Sequence, residues 1–116
     1  MSRSIQEVTA AIKAFRDERD WMQFHNPKDM AVALSIEAGE LLEQFLWKTA
    51  EECDARTESH REAIAEEIAD IGCFLFELAD NLGIDLGEAI LEKIQKNAEK
   101  YPVEKAKGRH TKYTEL

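Results

Sequence analysis

The sequence predicts an all-α protein, a four-helix bundle assembled as an oligomer, and three observations carry that prediction. Apolar residues recur at three- and four-residue spacing through most of the chain, capping signatures stand in front of those runs, and no alternating β-branched run competes with them. With 116 residues the chain can bury one core but hardly two, so residues 1–116 are expected to form a single domain with a polar tail from about residue 103.

Each element has its own signal. Ser4 with Glu7 makes a capping box in front of a first helix that runs to about Arg19, after which "DWMQFHNP" breaks the pattern. Asn26 followed by Pro27 is a helix entry, and Met30, Leu34, Leu41 and Phe45 carry a second helix to about Lys48. The stretch "TAEECDARTES" reads as a polar loop. Ser59 with Glu62 is expected to cap a third helix, which Gly83 ends in a left-handed conformation. Asp85 with Glu88 opens the fourth, and Pro102 stops it. The two middle helices are apolar on more than one face: Leu42 and Leu46 lie opposite Glu37, and Ile68 and Phe76 opposite Glu67. One bundle would leave that surface open, so a homodimer or homotetramer is expected.

Charge narrows the function. Fifteen lysines and arginines against 24 acids give a formal charge of -9, which disfavours nucleic acid and anionic membrane as partners. A bound polyanion would need a cation supplied with it. The two cysteines, Cys53 and Cys73, lie in unlike settings with no disulfide framework or zinc spacing. No export signal and no run of 18 apolar residues is seen, so the expected location is a reducing cytoplasm.

The acids that matter are those on apolar faces. At 100° per residue, Glu37 falls among Met30, Ala33, Leu34 and Leu41, with Glu40 beside it; Glu67 falls among Ala63, Ile64, Ile71 and Phe74, with Asp70 at i+3. Glu66 points to the rim. Exposed E-x-x-E pairs are common and mostly structural, yet four inward carboxylates repel and need cations. The fourth helix places Lys93 and Asn97 beside Leu86 and Ile90, but one lysine cannot neutralise four acids. Hard divalent ions can, and Mg²⁺ keeps open positions for water and substrate phosphates.

These residues resemble a known motif. "EAGE" (37–40) followed by "EIAD" (67–70) resembles the E-x-x-E…E-x-x-D signature of the MazG-like, all-α nucleoside triphosphate pyrophosphohydrolases. "ERDWMQFHNP", "GELLEQFLWK", "KIQKNAEKYP" and "KYTEL" closely resemble its dCTP pyrophosphatase branch, across nearly the whole chain. The resemblance implies Mg²⁺-dependent hydrolysis of a nucleoside triphosphate such as dCTP or a modified dCTP, in cleansing of the nucleotide pool. Glu37, Glu40, Glu67 and Asp70 would be the metal ligands, with Glu40, and next Glu37, as the catalytic carboxylates. It also implies a base pocket from Trp21, Met22, Gln23, Phe24, His25 and Trp47, where aromatic planes can stack on a base. The alternative is that these aromatics only pack a loop onto the bundle. Lys48, Lys93, Asn97 and Tyr101 match the family as phosphate or sugar contacts. Two positions depart from it: the animal dCTP enzymes carry a histidine and a tyrosine where this chain has Ile12 and Phe74, which weakens the case for a strict cytosine preference. A related enzyme for dUTP or phosphoribosyl-ATP, and a non-catalytic helical oligomer that binds a nucleotide or partner protein, are the competing readings. The basic tail, with Lys105, Lys107, Arg109 and Lys112, is a candidate cover for a neighbouring subunit's site.

Overall fold

The structure, a computed structural model, describes residues 2–116. Among these the chain is helical throughout, with no strand: α1 (Ile5–Glu18), α2 (Pro27–Glu43), α3 (Ala50–Ser59), α4 (Arg61–Asn81), α5 (Leu86–Lys100) and α6 (Val103–Ala106), with 3₁₀ turns at Met22–Phe24 and Tyr113–Glu115. The chain forms two compact units, one ending at Gly83 and the other Ile84–Leu116.

In the first unit α4 is the central helix, and α2, α1 and α3 all pack against it, α2 most extensively. Met30 on α2 is 1% exposed and anchors the core with Ile64 and Ala79 of α4. Thr9, Arg16 and Glu77 are buried as well. The helix starts follow from short-range hydrogen bonds. The Ser4 hydroxyl accepts the Glu7 N–H at 3.1 Å, and the Asn26 side chain accepts the Asp29 N–H at 2.9 Å, each satisfying an N–H that the helix itself leaves unpaired. Gly83, at φ +69°, turns the chain out of α4 in a conformation that a residue with a Cβ rarely adopts.

Several expectations need correction. "TAEECDARTES" is a helix, α3, because Thr49 with Glu52 forms a full capping box: the Thr49 hydroxyl accepts the Glu52 N–H at 3.2 Å and the Glu52 carboxylate accepts the Thr49 N–H at 3.3 Å. Arg56 then ties α3 to the end of α2 by donating to the Gln44 side-chain oxygen at 3.0 and 3.2 Å. Ser59 accordingly closes α3 and does not cap α4. Its hydroxyl pairs with His60 Nδ1 at 2.8 Å, and α4 begins one residue later without a side-chain cap. The second helix also stops earlier than expected, at Glu43. Residues 44–47 continue as tight turns that end at Trp47, a left-handed residue at φ +60°.

The second unit has the cap and stop expected of it. Asp85 accepts the Glu88 N–H at 3.0 Å, and α5 ends at Lys100, just before Pro102. The polar tail is not featureless. It holds α6, and Tyr113 packs edge-on against Tyr101 at 5.8 Å while Lys100 lies 4.8 Å from the Tyr113 ring centroid.

Candidate metal centre and adjoining pocket

The packing of α2 on α4 brings the two acidic pairs face to face. Carboxylate oxygens of Glu37, Glu67 and Asp70 all lie within 4.8 Å of one another, and Glu40, one turn along α2, borders the group. Glu37 Oε2 and Glu67 Oε2 are buried, yet neither has a hydrogen-bond partner. A buried acceptor without a donor is costly, and native structures rarely leave one without a reason.

The electrostatics agree. Burial, then the neighbouring Glu40 carboxylate, then the charges of Asp70 and Glu67 push Glu37 up from its ordinary 4.5 to about 7. Glu67 is raised as well, by burial first and by Glu40 and Asp70 next, although the adjacent Glu37 carboxyl pulls it partly back. Without a cation these groups hold protons that carboxylates normally release. Two orphaned oxygens and a third carboxylate within reach are an all-oxygen donor set suited to a hard divalent ion.

Asp70 belongs to two places at once. It also lines a cavity of about 490 Å³ whose other walls include Ile12, Phe15 and Arg16 of α1, Trp21 and His25 of the connecting segment, and Cys73 and Phe74 of α4. The Trp21 ring meets Phe15 edge-on, with centroids 5.7 Å apart, and the Arg19 guanidinium covers the Phe15 ring at 3.7 Å. Burial, then the Asp70 charge, raises the Cys73 thiol, which keeps it protonated.

Beneath this pocket lies a polar cluster. Glu77 is 2% exposed, and its carboxylate accepts from His25 Nδ1 at 2.8 and 3.0 Å and from the Asn81 amide at 2.9 Å, with Arg16 at 3.5 Å. Arg16 also donates to Asn81 Oδ1 at 3.2 Å and to Asp17 at 2.8 Å. The Asp17 bond is the main reason that the guanidinium is held above its usual value.

The structure thus gathers Ile12, Trp21, His25, Phe74 and Asp70 around one cavity and Glu37, Glu67 and Asp70 around one point. Met22, Gln23, Phe24, Trp47 and Lys48, in the same unit, do not line that cavity. Met22 and Phe24 are exposed, and Gln23 donates its amide to Asp20. Trp47 is 92% exposed and Lys48 follows it beyond the end of α2; neither lines the cavity. Lys93, Asn97 and Tyr101 lie in the second unit with exposed side chains. Sequence reasoning missed Phe15, Arg16, Cys73, Glu77 and Asn81. A signal existed for two of them: Glu67, Asp70, Phe74, Glu77 and Asn81 follow one another at three- and four-residue steps, one stripe of α4.

A family model for the MazG-like family matches residues 32–116. The chain belongs to the MazG-like family. This MazG-like chain is 40% identical over 115 residues to dCTP pyrophosphatase 1 of Bos taurus and 39% identical to that of Homo sapiens, matches that cover 97% of the chain and 68% of each relative. It is also similar to the crystal structure of a pyrophosphatase from Archaeoglobus fulgidus, at 38% identity and a TM-score of 0.82, covering 88% of this chain and 95% of that one. The MazG-like match spans both acidic pairs and α5, whereas Ile12, Trp21 and His25 lie ahead of it.

Proposed function

We propose that this MazG-like chain hydrolyses a deoxynucleoside triphosphate, with dCTP or a modified dCTP as the leading candidate, to the monophosphate and pyrophosphate in an Mg²⁺-dependent reaction. That it is an enzyme of the diphosphatase kind follows from its family and from named pyrophosphatases at 38–40% identity. The observation that carries the finer reading is Asp70, which stands both in the group of unpaired acids and in the wall of the aromatic cavity. A base in the cavity would therefore lead its phosphates toward the carboxylates.

Glu37, Glu67 and Asp70, with Glu40 at their edge, would hold the metal. A bound divalent ion neutralises the triphosphate, lowers the pKa of bound water and stabilises the leaving pyrophosphate. The chain's own part is positional. Glu37 and Glu67 fix two oxygens that no protein donor has claimed, and the exposed Glu40 would accept the proton of the attacking water as the new P–O bond forms and the bond to pyrophosphate breaks. Trp21 and Phe15 offer an edge-to-face aromatic wall against which a base can stack. Lys48, Lys93, Asn97 and Tyr101 remain candidates for phosphate or sugar contact.

Oligomerisation is part of the proposal. Leu42, Leu46, Trp47 and Ile68 are 50% exposed or more, a large apolar area for one chain, and a homodimer or homotetramer would cover it. Among the described residues no helix is long and apolar enough to cross a membrane, and a cytoplasmic role in cleansing the nucleotide pool is the setting that suits this chemistry.

Pyrophosphate release from a panel of canonical and 5-modified deoxynucleoside triphosphates, with and without Mg²⁺, tests the reading. Metal-dependent release with a cytosine substrate near the top is expected. No release from any triphosphate by folded protein with metal present would overturn it and leave the non-catalytic oligomer.

A further inference from the structure

We propose that Glu77 is a positioning residue for base selection: it fixes the tautomer of His25 and so makes His25 Nε2 a hydrogen-bond acceptor in the pocket, selective for bases with an exocyclic amine. The inference rests on the nucleotide-binding reading above. It begins with the burial of Glu77, which is 2% exposed and yet ringed by donors. Asn81 donates to Oε2 at 2.9 Å, Arg16 lies 3.5 Å from the same oxygen, and the Asn81 oxygen is itself taken by Arg16 at 3.2 Å. A carboxylate so surrounded can only accept. His25 Nδ1, 2.8 Å from Oε2 and 3.0 Å from Oε1, must therefore carry its proton toward Glu77.

The consequence falls on the other ring nitrogen. In the neutral imidazole a protonated Nδ1 leaves Nε2 bare, as an acceptor. His25 lines the cavity, and Nε2 makes no hydrogen bond among the described residues, so it is the polar atom that His25 can offer a ligand. The rest of the wall has little to compete with it. Ile12, Phe15 and Phe74 are apolar, the Arg16 guanidinium is turned onto Asp17, Asn81 and Glu77, Trp21 and Cys73 bring donors, and the other acceptor of the wall, Asp70, stands with the acidic group. Cytosine and adenine present an amine, a donor, where uracil and thymine present a carbonyl. An acceptor there pairs with the first group and is left facing a second acceptor by the other, the case in which a missing partner costs most. Selection would then come from below the pocket, at a position where Ile12 and Phe74 supply no hydrogen bond.

Glu77→Gln reverses the logic with almost no change of shape. The oxygen of the new side-chain amide stays with the Arg16 and Asn81 donors, which turns its N–H₂ toward Nδ1. With that N–H₂ on the Oε1 side, 3.0 Å from Nδ1, Nδ1 becomes its acceptor and the proton moves to Nε2, now a donor. Nitrogen-15 NMR of the full-length protein reads this directly. Wild type should show His25 protonated on Nδ1, with Nε2 responding to added dCMP and not to dUMP in the presence of Mg²⁺; Glu77→Gln should show it protonated on Nε2. In turnover, the ratio of kcat/KM for dCTP over dUTP should fall at least about tenfold in Glu77→Gln. A wild-type His25 protonated on Nε2, an equal response to both monophosphates, or an E77Q variant that loses dCTP and dUTP turnover in the same proportion would each overturn the proposal. Absence of turnover with every triphosphate would remove the hydrolysis reading alone, since the tautomer and the monophosphate response are read without turnover. If E77Q does not fold, the wild-type tautomer and its response still decide.

Discussion

Glu67 and Glu77 sit on the same helix, on the same stripe, ten residues apart, and the protein treats them in opposite ways. Glu77 is buried among Arg16, His25 and Asn81, with donors for its oxygens. Glu67 is half-buried among Glu37, Glu40 and Asp70, with one oxygen unpaired and its pKa raised by burial and by its neighbours. Both arrangements carry a desolvation cost, but only one contains its own compensation. The satisfied acid belongs to the scaffold that shapes the pocket. The unsatisfied ones describe a ligand by what they lack, a compact positive charge.

The sharpest way to test that contrast is to neutralise one acid of each kind. Glu37→Gln keeps the shape and removes a charge from the repelling group, so turnover should fall by about 10³-fold or more while the metal-free protein melts no lower than wild type. Turnover retained in this variant would sink the metal-centre reading. Pyrophosphate release and a thermal melt on the same preparation give both numbers. Glu77→Ala should do the reverse in the melt. It removes the buried acceptor shared by His25, Asn81 and Arg16 and leaves their donors unpaired around a cavity, a cost of about 3 kcal/mol that should lower Tm by on the order of 10 °C. If the two variants melt alike, the distinction between the two sites is wrong.

This contrast also explains what the sequence could disclose. Three of the four long helices were legible from local caps, since Ser4 with Glu7, Asn26 before Pro27, and Asp85 with Glu88 act within one turn, whereas α4, which has no side-chain cap, was legible from its apolar periodicity. The α3 helix escapes a reading by periodicity because "AEECDARTES" has no apolar stripe to display, and the Thr49–Glu52 box that starts it is hidden in a polar composition typical of loops. The facing acids were legible as two stripes pointing inward, since helical periodicity fixes direction. What joins them was not. That Glu77 meets His25, 52 residues away, and that Asn81 meets Arg16, 65 away, depends on how α1, the connecting segment and α4 pack, which no local rule states. Trp47 shows the limit from the other side: as a sequence it reads as part of the pocket, yet the early end of α2 at Glu43 leaves it 92% exposed in this chain.

Proton linkage offers a finer test. Glu37 is raised from 4.5 to about 7, so the folded protein binds a proton more tightly than the unfolded chain does, and the stability this gives is full below 4.5 and lost as pH rises through about 7. The metal-free protein should therefore lose stability relative to the Glu37→Gln variant across that window. Mg²⁺ should restore it at the upper end, because a cation favours the ionised acids that a proton would otherwise neutralise. A thermal shift with Mg²⁺ that grows from pH 4.5 to above 7 is the expected profile; a shift independent of pH would place the ion elsewhere.

A third acid on α4 sets the scale for the other two. Asp80 pairs with Lys13 of α1 at 3.1 Å, joining the same two helices as the Arg16–Glu77 contact, but both side chains are about 40% exposed. Charge type and helix pair are shared, so the remaining difference is burial. In water-accessible surroundings the attraction is screened and the ordering of a long lysine offsets it, leaving well under about 1 kcal/mol. Asp80→Asn should shift Tm by no more than a degree or two on the order-of-magnitude scale for a chain of this size, and dCTP turnover should not change. If Asp80→Asn cost as much as Glu77→Ala, the loss would have to come from the α1–α4 contact in general, and the special standing of the buried cluster beneath the pocket would go with it.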